Sequence, residues 1–189
     1  MNITTMNKVL VILSLLTFST AFSQKNLDAL IIKNNNDTIK SKIKIYTNIF
    51  YKNLINESSF YKTLILVDEN GKKKEKIKAS DVKELKFTDL EGKEKIYLNG
   101  GKSLKELVYN GNKIKWYRNI SQNLYDGSIQ YFDYLIDNNG NEFKMGLFNN
   151  SKKKLLEATK SKPELATEIE NAKLTYENIL IILKKYDEN

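Results

Sequence analysis

The stretch Asp28–Tyr46, DALIIKNNNDTIKSKIKIY, decides how the chain is read. An apolar run (Ala29, Leu30, Ile31, Ile32) leads into Asn34-Asn35-Asn36-Asp37, and an alternating run follows. Ile39, Ile43 and Ile45 fall on one parity, and Lys40, Lys42 and Lys44 on the other. Successive side chains of a strand point to opposite faces, so this pattern predicts isoleucine inward and lysine outward. Asn and Asp tolerate the left-handed backbone and bond their own main chain, which suits a tight turn between two strands. The stretch therefore predicts a β-hairpin that opens an antiparallel sheet.

Upstream, Met6-Asn7-Lys8 precedes the apolar core Val9–Phe18, and Ala21-Phe22-Ser23 closes it with small residues. A positive residue, a short apolar core and an Ala-x-Ser ending are the marks of a secretory leader over residues 1–23. The core is too short to cross a bilayer as a stable helix, so no membrane span is expected after cleavage. The chain has no cysteine. Lipid attachment at a processing-site cysteine and stapling by disulfides are therefore both excluded, and stability must come from a packed core. Residues 24–189 are enough for one domain of ordinary size.

Downstream, runs of strand character alternate with turn residues. Lys62–Val67, Lys74–Ala79, Val82–Thr88, Lys95–Leu98, Leu104–Tyr109, Lys113–Arg118, Ser128–Ile136 and Glu142–Leu147 read as strands. Turn glycines fall at 71, 92, 111 and 140, the rhythm of an up-and-down meander. Thr47–Tyr61 reads as an irregular connection. From about Asn149 the character turns helical: Lys152–Lys160, then a helix capped at Ser161 with Pro163 in its first turn, then a helix capped at Thr175. That last helix carries Tyr176, Ile179, Leu180, Leu183 and Tyr186 on one face. Strands followed by helices give an α+β domain. The prediction is an antiparallel meander over 24–148, open or curled toward a barrel, with two or three helices over 149–189.

The chain carries 31 Lys+Arg against 23 Asp+Glu. Arg118 is its only arginine, and lysines alternate with carboxylates over Lys72–Glu94. Nucleic-acid binding is not expected, because phosphate and guanine recognition favour arginine's planar fork. There is no histidine either, which removes the commonest general base and zinc ligand together with the Ser-His-Asp triad. Neither a cofactor nor a metal is expected. Gly100-Gly101-Lys102-Ser103 ends like a phosphate-binding loop but lacks the leading glycine, since Ile96 stands there. Asp137–Glu142 begins like a calcium loop but has Phe148 where the last ligand belongs. Both read as turns.

Three function classes stay open. A binding module would use aromatic side chains of the later strands, with Trp116, Tyr117, Tyr131 and Tyr134 as candidates, or the lysine face Lys40, Lys42 and Lys44. Its partner would be an envelope protein or a glycan. A hydrolase of envelope polysaccharide would need two carboxylates, with Asp126, Asp133 and Glu142 as candidates. A scaffold role predicts a homodimer through the apolar Ile179–Leu183 stretch.

The leader ending Ala21-Phe22-Ser23-Gln24, the Asn35–Lys40 motif, the hairpin rhythm and the tail Lys184-Lys185-Tyr186-Asp187 together resemble small exported proteins of Bacteroidota. That resemblance implies an exported domain and carries over no activity and no site residue. Asp37-Thr38-Ile39 also resembles the Asp-Ser/Thr-aliphatic site at which that group O-glycosylates exported proteins. A helical C-terminus differs from the β-rich sorting domain of their outer secretion route, so the periplasm is the expected location.

Overall fold

The computed structural model of the protein describes residues 24–48, 51–122, 128–146 and 150–188; the secretory leader expected over 1–23 and Asp126 lie outside the described residues. The opening hairpin forms as its alternation predicts. β1 (Gln24–Lys33) and β2 (Thr38–Thr47) pair antiparallel from Gln24↔Tyr46 to Ile32↔Thr38. Asn36 takes φ 66° in the turn, and Lys33 closes it by donating its N–H to Asp37 O at 2.8 Å. Ile43 and Ile45 are fully buried, while Lys40 is exposed.

Nine further strands follow: β3 (Ile55–Asn56), β4 (Thr63–Val67), β5 (Lys73–Lys78), β6 (Val82–Thr88), β7 (Glu94–Asn99), β8 (Leu104–Asn110), β9 (Ile114–Gln122), β10 (Ile129–Asp137) and β11 (Glu142–Met145). Among the described residues three α-helices follow the strands: α1 (Ser151–Ala158), α2 (Ala166–Asn171) and α3 (Tyr176–Asp187). The protein is thus an α+β fold in which one antiparallel sheet precedes the helices. Its strand order is β11-β10-β9-β8-β7-β6-β1-β2-β4-β5, with β3 paired to β2. The sheet is open and does not close into a barrel.

Strands β6 to β11 run up and down in sequence order. The order then breaks, because β6 pairs with β1 although only the 3-10 turn Ala79–Asp81 separates it from β5. Three strands lie between β5 and β6 in the sheet, so it must curl to let so short a corner join them. The corner is tied from three sides. Ala79 donates its N–H to Lys62 O at 2.8 Å, Asn34 Nδ2 donates to Ser80 O at 2.7 Å, and Asn99 Nδ2 reaches Val82 O at 2.8 Å.

Three of the hairpin turns share one construction. Asp68, Asp89 and Asp137 each accept at Oδ1 from the backbone N–H groups two and four residues on. The glycines three residues on take φ of 76°, 80° and 81°, which a side chain would oppose. The Asn110-Gly111 turn is different, and its glycine is needed for room. A methyl on Gly111 would lie 2.6 Å from both Asp187 Cγ and Tyr109 Cε1. Asp187 docks the end of α3 there, accepting from Tyr109 O–H at 2.5 Å and from Lys113 N–H at 2.6 Å.

Two hydrophobic cores result. One fills the curl, with Ile31, Ile43, Ile45, Phe60, Leu64 and Leu85 fully buried. The other lies between β9–β11 and the helices, around Trp116, Leu135, Leu155, Ile169 and Leu183. Thr175 caps α3 through Oγ1, as predicted. Ser161 does not cap α2; its hydroxyl bonds the Tyr186 hydroxyl at 2.8 Å instead, and a 3-10 turn beginning at Pro163 leads into the helix. Of the apolar stretch in α3, Ile179, Ile182 and Leu183 are buried in the second core, and Ile181 faces outward. No helix among the described residues is long and apolar enough to cross a membrane.

Candidate functional site

One cross-strand row links the two cores. Strand register aligns Ile31, Leu85, Tyr97, Glu106, Arg118, Asp133 and Met145 in turn across β1, β6, β7, β8, β9, β10 and β11. The ends of this row are apolar and its middle is charged. Charges seldom occupy the inward parity of a strand unless they are paired, and here they are. Arg118 forks onto Asp133, with Nε to Oδ1 at 2.8 Å and Nη2 to Oδ2 at 3.1 Å. Lys95 Nζ lies 2.6 Å from Glu106 Oε1. Trp116 adds a third donor to Asp133, from Nε1 to Oδ1 at 2.7 Å.

Aromatic rings surround the guanidinium. Its central carbon lies 4.9 Å from the Trp116 ring, 4.8 Å from Tyr131 and 5.2 Å from Tyr176. Trp116 is fully buried beneath it, whereas Tyr131 and Tyr176 keep 45% and 42% of their surface exposed. Tyr131 comes from β10 and Tyr176 opens α3, so the helix completes a box begun by the sheet. A groove of about 750 Å³ opens above, walled by Asn53–Ile55 and by the β6–β7 turn. Asp89, Glu91, Glu106, Asp133 and Glu177 line it against Lys93, Lys95 and Arg118, which makes it mildly acidic on a basic protein.

Beneath the groove lies Glu57, in the 3-10 turn Glu57–Ser59 that crosses the inner face. Tyr97 O–H donates to its Oε1 at 2.9 Å and Ile120 N–H to its Oε2 at 2.8 Å. Burial pushes its carboxyl up to about 7, with nearby Glu106 adding and the two hydrogen bonds opposing. Burial, with the Glu57 carboxyl beside it, also raises the Tyr97 phenol. Glu57 is enclosed and does not line the groove.

The structure divides the sequence candidates between two faces. Trp116 and Tyr131 belong to the Arg118 box. Tyr117 and Tyr134 are directly opposed on the outer face, where Lys105 Nζ stands 4.1 Å from the Tyr134 ring. Lys40, Lys42 and Lys44 lie on the outer face of β2, and Lys42 pairs with Glu69 at 2.7 Å. Lys40 and Lys42 border a hollow of about 660 Å³ with Leu30 and Lys86. The two described carboxylates of the hydrolase reading also separate: Asp133 faces the groove, while Glu142 faces outward within 3.6 Å of Lys105. Gly100–Ser103 and Asp137–Asn141 are hairpin turns, closed by Gly100 N–H to Ser103 O and by Asp137 N–H to Asn141 O.

Sequence reading missed Arg118, Glu106, Lys95 and Tyr176 as site residues. A signal was present: Arg118 shares its parity with Ile114, Trp116 and Ile120, and Glu106 shares its parity with Leu104. No protein-family model, curated protein or solved structure matches this chain, so its function is argued from its own geometry.

Proposed function

We propose that the protein is an exported, non-catalytic binding module of the cell envelope, and that the groove above Arg118 takes a glycan chain. The observation carrying this reading is the pair of half-exposed rings, Tyr131 and Tyr176, set around a guanidinium that Asp133 already holds. Rings fixed in this way offer flat apolar faces to the C–H side of a sugar at little entropic cost. The surrounding carboxylates and lysines suit sugar hydroxyls, which both donate and accept.

A binding role fits the electrostatics better than hydrolysis does. Asp133 is committed to Arg118 and Trp116, and Glu106 to Lys95. Glu57 has the raised affinity for a proton that a general acid needs, but both its oxygens accept from protein groups below the groove. The secretory leader expected over residues 1–23 supports the export in this reading.

The test uses residues 24–189 and envelope-type oligosaccharides, followed through the emission of Trp116, the sole tryptophan. Saturable quenching or a spectral shift is expected. Tyr131→Ala and Tyr176→Ala should each weaken binding roughly tenfold. If neither emission nor calorimetry responds to any oligosaccharide, the glycan reading is wrong.

A further inference from the structure

A second hollow of about 380 Å³ adjoins the groove, and Tyr131, Asp133, Leu174 and Ile179 form the wall common to both. Its chemistry differs. Ile129 and Met145 supply its remaining apolar lining, and Gln130 and Ser151 its uncharged polar groups. Among the described residues Asp133 is the one charged residue bordering it, and that carboxylate is bonded to Arg118 and Trp116. Charge therefore falls off across the Tyr131 ring, from eight charged residues on one side to a hollow of mixed lining on the other, in which Ile129, Met145, Leu174 and Ile179 are aliphatic.

We propose that the ligand is amphiphilic, a sugar unit carrying an aliphatic chain, with the sugar in the Arg118 groove and the chain in the Ile129–Met145 chamber. The inference rests on the glycan reading and adds the class of substituent. Tyr131 serves both halves: a face of its ring stacks on the sugar while its edge borders the chain. A hydroxylated ligand alone would leave the chamber wet and apolar-walled, whereas an alkyl or acyl chain removes that surface from water. Each methylene fully buried there tightens binding about fourfold.

Methyl, hexyl and octyl β-glucopyranosides, each below its micelle concentration, test this by calorimetry on residues 24–189. The octyl compound should bind at least about thirtyfold tighter than the methyl one. Ser151→Phe, which fills the chamber from the first turn of α1, should return octyl binding to the methyl level and leave the methyl compound unaffected. Ile129→Asn, which makes the wall polar, should act in the same direction. Equal affinity along the series, with methyl glucoside and oligosaccharides still bound, overturns the inference and leaves the glycan reading standing. An octyl gain that survives both variants, or that survives Tyr131→Ala with Tyr176→Ala, would be chain adhesion elsewhere and also overturns it. Failure of every glucoside and oligosaccharide to bind removes both readings together.

Discussion

The backbone N–H of Ile120 donates to Glu57 Oε2 at 2.8 Å, joining the turn that crosses the inner face to a strand sixty-three residues later. Burial raises the pKa of this enclosed carboxyl to about 7, against the opposing pull of the bond. An unfolded chain ionises Glu57 near its ordinary 4.5. Below that pH both states hold the proton. Between 4.5 and about 7 the unfolded state releases it and the folded state does not, so stability falls as pH rises through this window. The loss is about 3 kcal/mol and levels off above pH 7. Glu57→Gln can accept from Ile120 N–H, donate to the Tyr97 oxygen and never ionise. Urea midpoints measured from pH 4 to 8 should show the variant gaining on the parent by that amount, and parallel curves would refute the assignment.

Arg118 and Asp133 are each about one-seventh exposed and are held by two hydrogen bonds. Removing one partner strands the other in a nearly dry setting. Arg118→Met and Asp133→Leu should each cost about 3 kcal/mol, and the double variant should cost clearly less than their sum. Trp116 emission gives a local readout, because its Nε1 donates to the same carboxylate. Additive losses would mean that the pair is not coupled.

Gly111 and Asp187 occupy adjoining space, so Gly111→Ala should destabilise by about 2 kcal/mol. Asp187→Ala also loses the acceptor for Tyr109 O–H and Lys113 N–H. Once that carboxylate is gone, the added methyl meets less, and the Gly111→Ala penalty should fall. A thermal-denaturation cycle on the four proteins measures the coupling. A penalty unchanged by Asp187→Ala would place the clash on Tyr109 alone.

Gly92 and Gly140 have open space where a side chain would go, yet both sit at positive φ. Gly92→Ala and Gly140→Ala should therefore each cost about 1 kcal/mol through backbone strain alone. Similar denaturation midpoints for the two variants are expected, because the turns share one hydrogen-bond pattern. A difference above about 1 kcal/mol would show that the turns are not equivalent.

Most of the sheet was legible because its strands carry the signal of a half-buried face. Val82–Thr88 was read at its full extent from Leu85 and Phe87, and Thr175 announced α3 by its cap. The pairing of β6 with β1 was not legible, since nothing local in Lys78–Val82 tells a corner of a curled sheet from an ordinary hairpin. Glycine 111 looked like a turn residue of the same kind as 71, 92 and 140; what requires it is Asp187, far away in sequence. The Arg118 box was hidden for a similar reason. Tyr131 and Trp116 were visible as aromatics, but the box also needs Tyr176, which reaches it only when α3 packs. Asp133 stood out among aromatic neighbours without its partner being evident. Parity alone cannot say that three charged inward positions fall in one row, because register is set by turns and bulges such as that between Leu107 and Tyr109.

The place of β1 between β2 and β6 bears on how the chain assembles during synthesis. The hairpin made first is also the hinge of the finished sheet, and one of its edges waits for a partner that is translated some fifty residues later. Until β6 arrives, that edge is an open template for any other extended chain. The N-terminal hairpin is therefore where a holding chaperone would have most to do, and a chain cut before β6 should aggregate rather than remain a smaller folded unit.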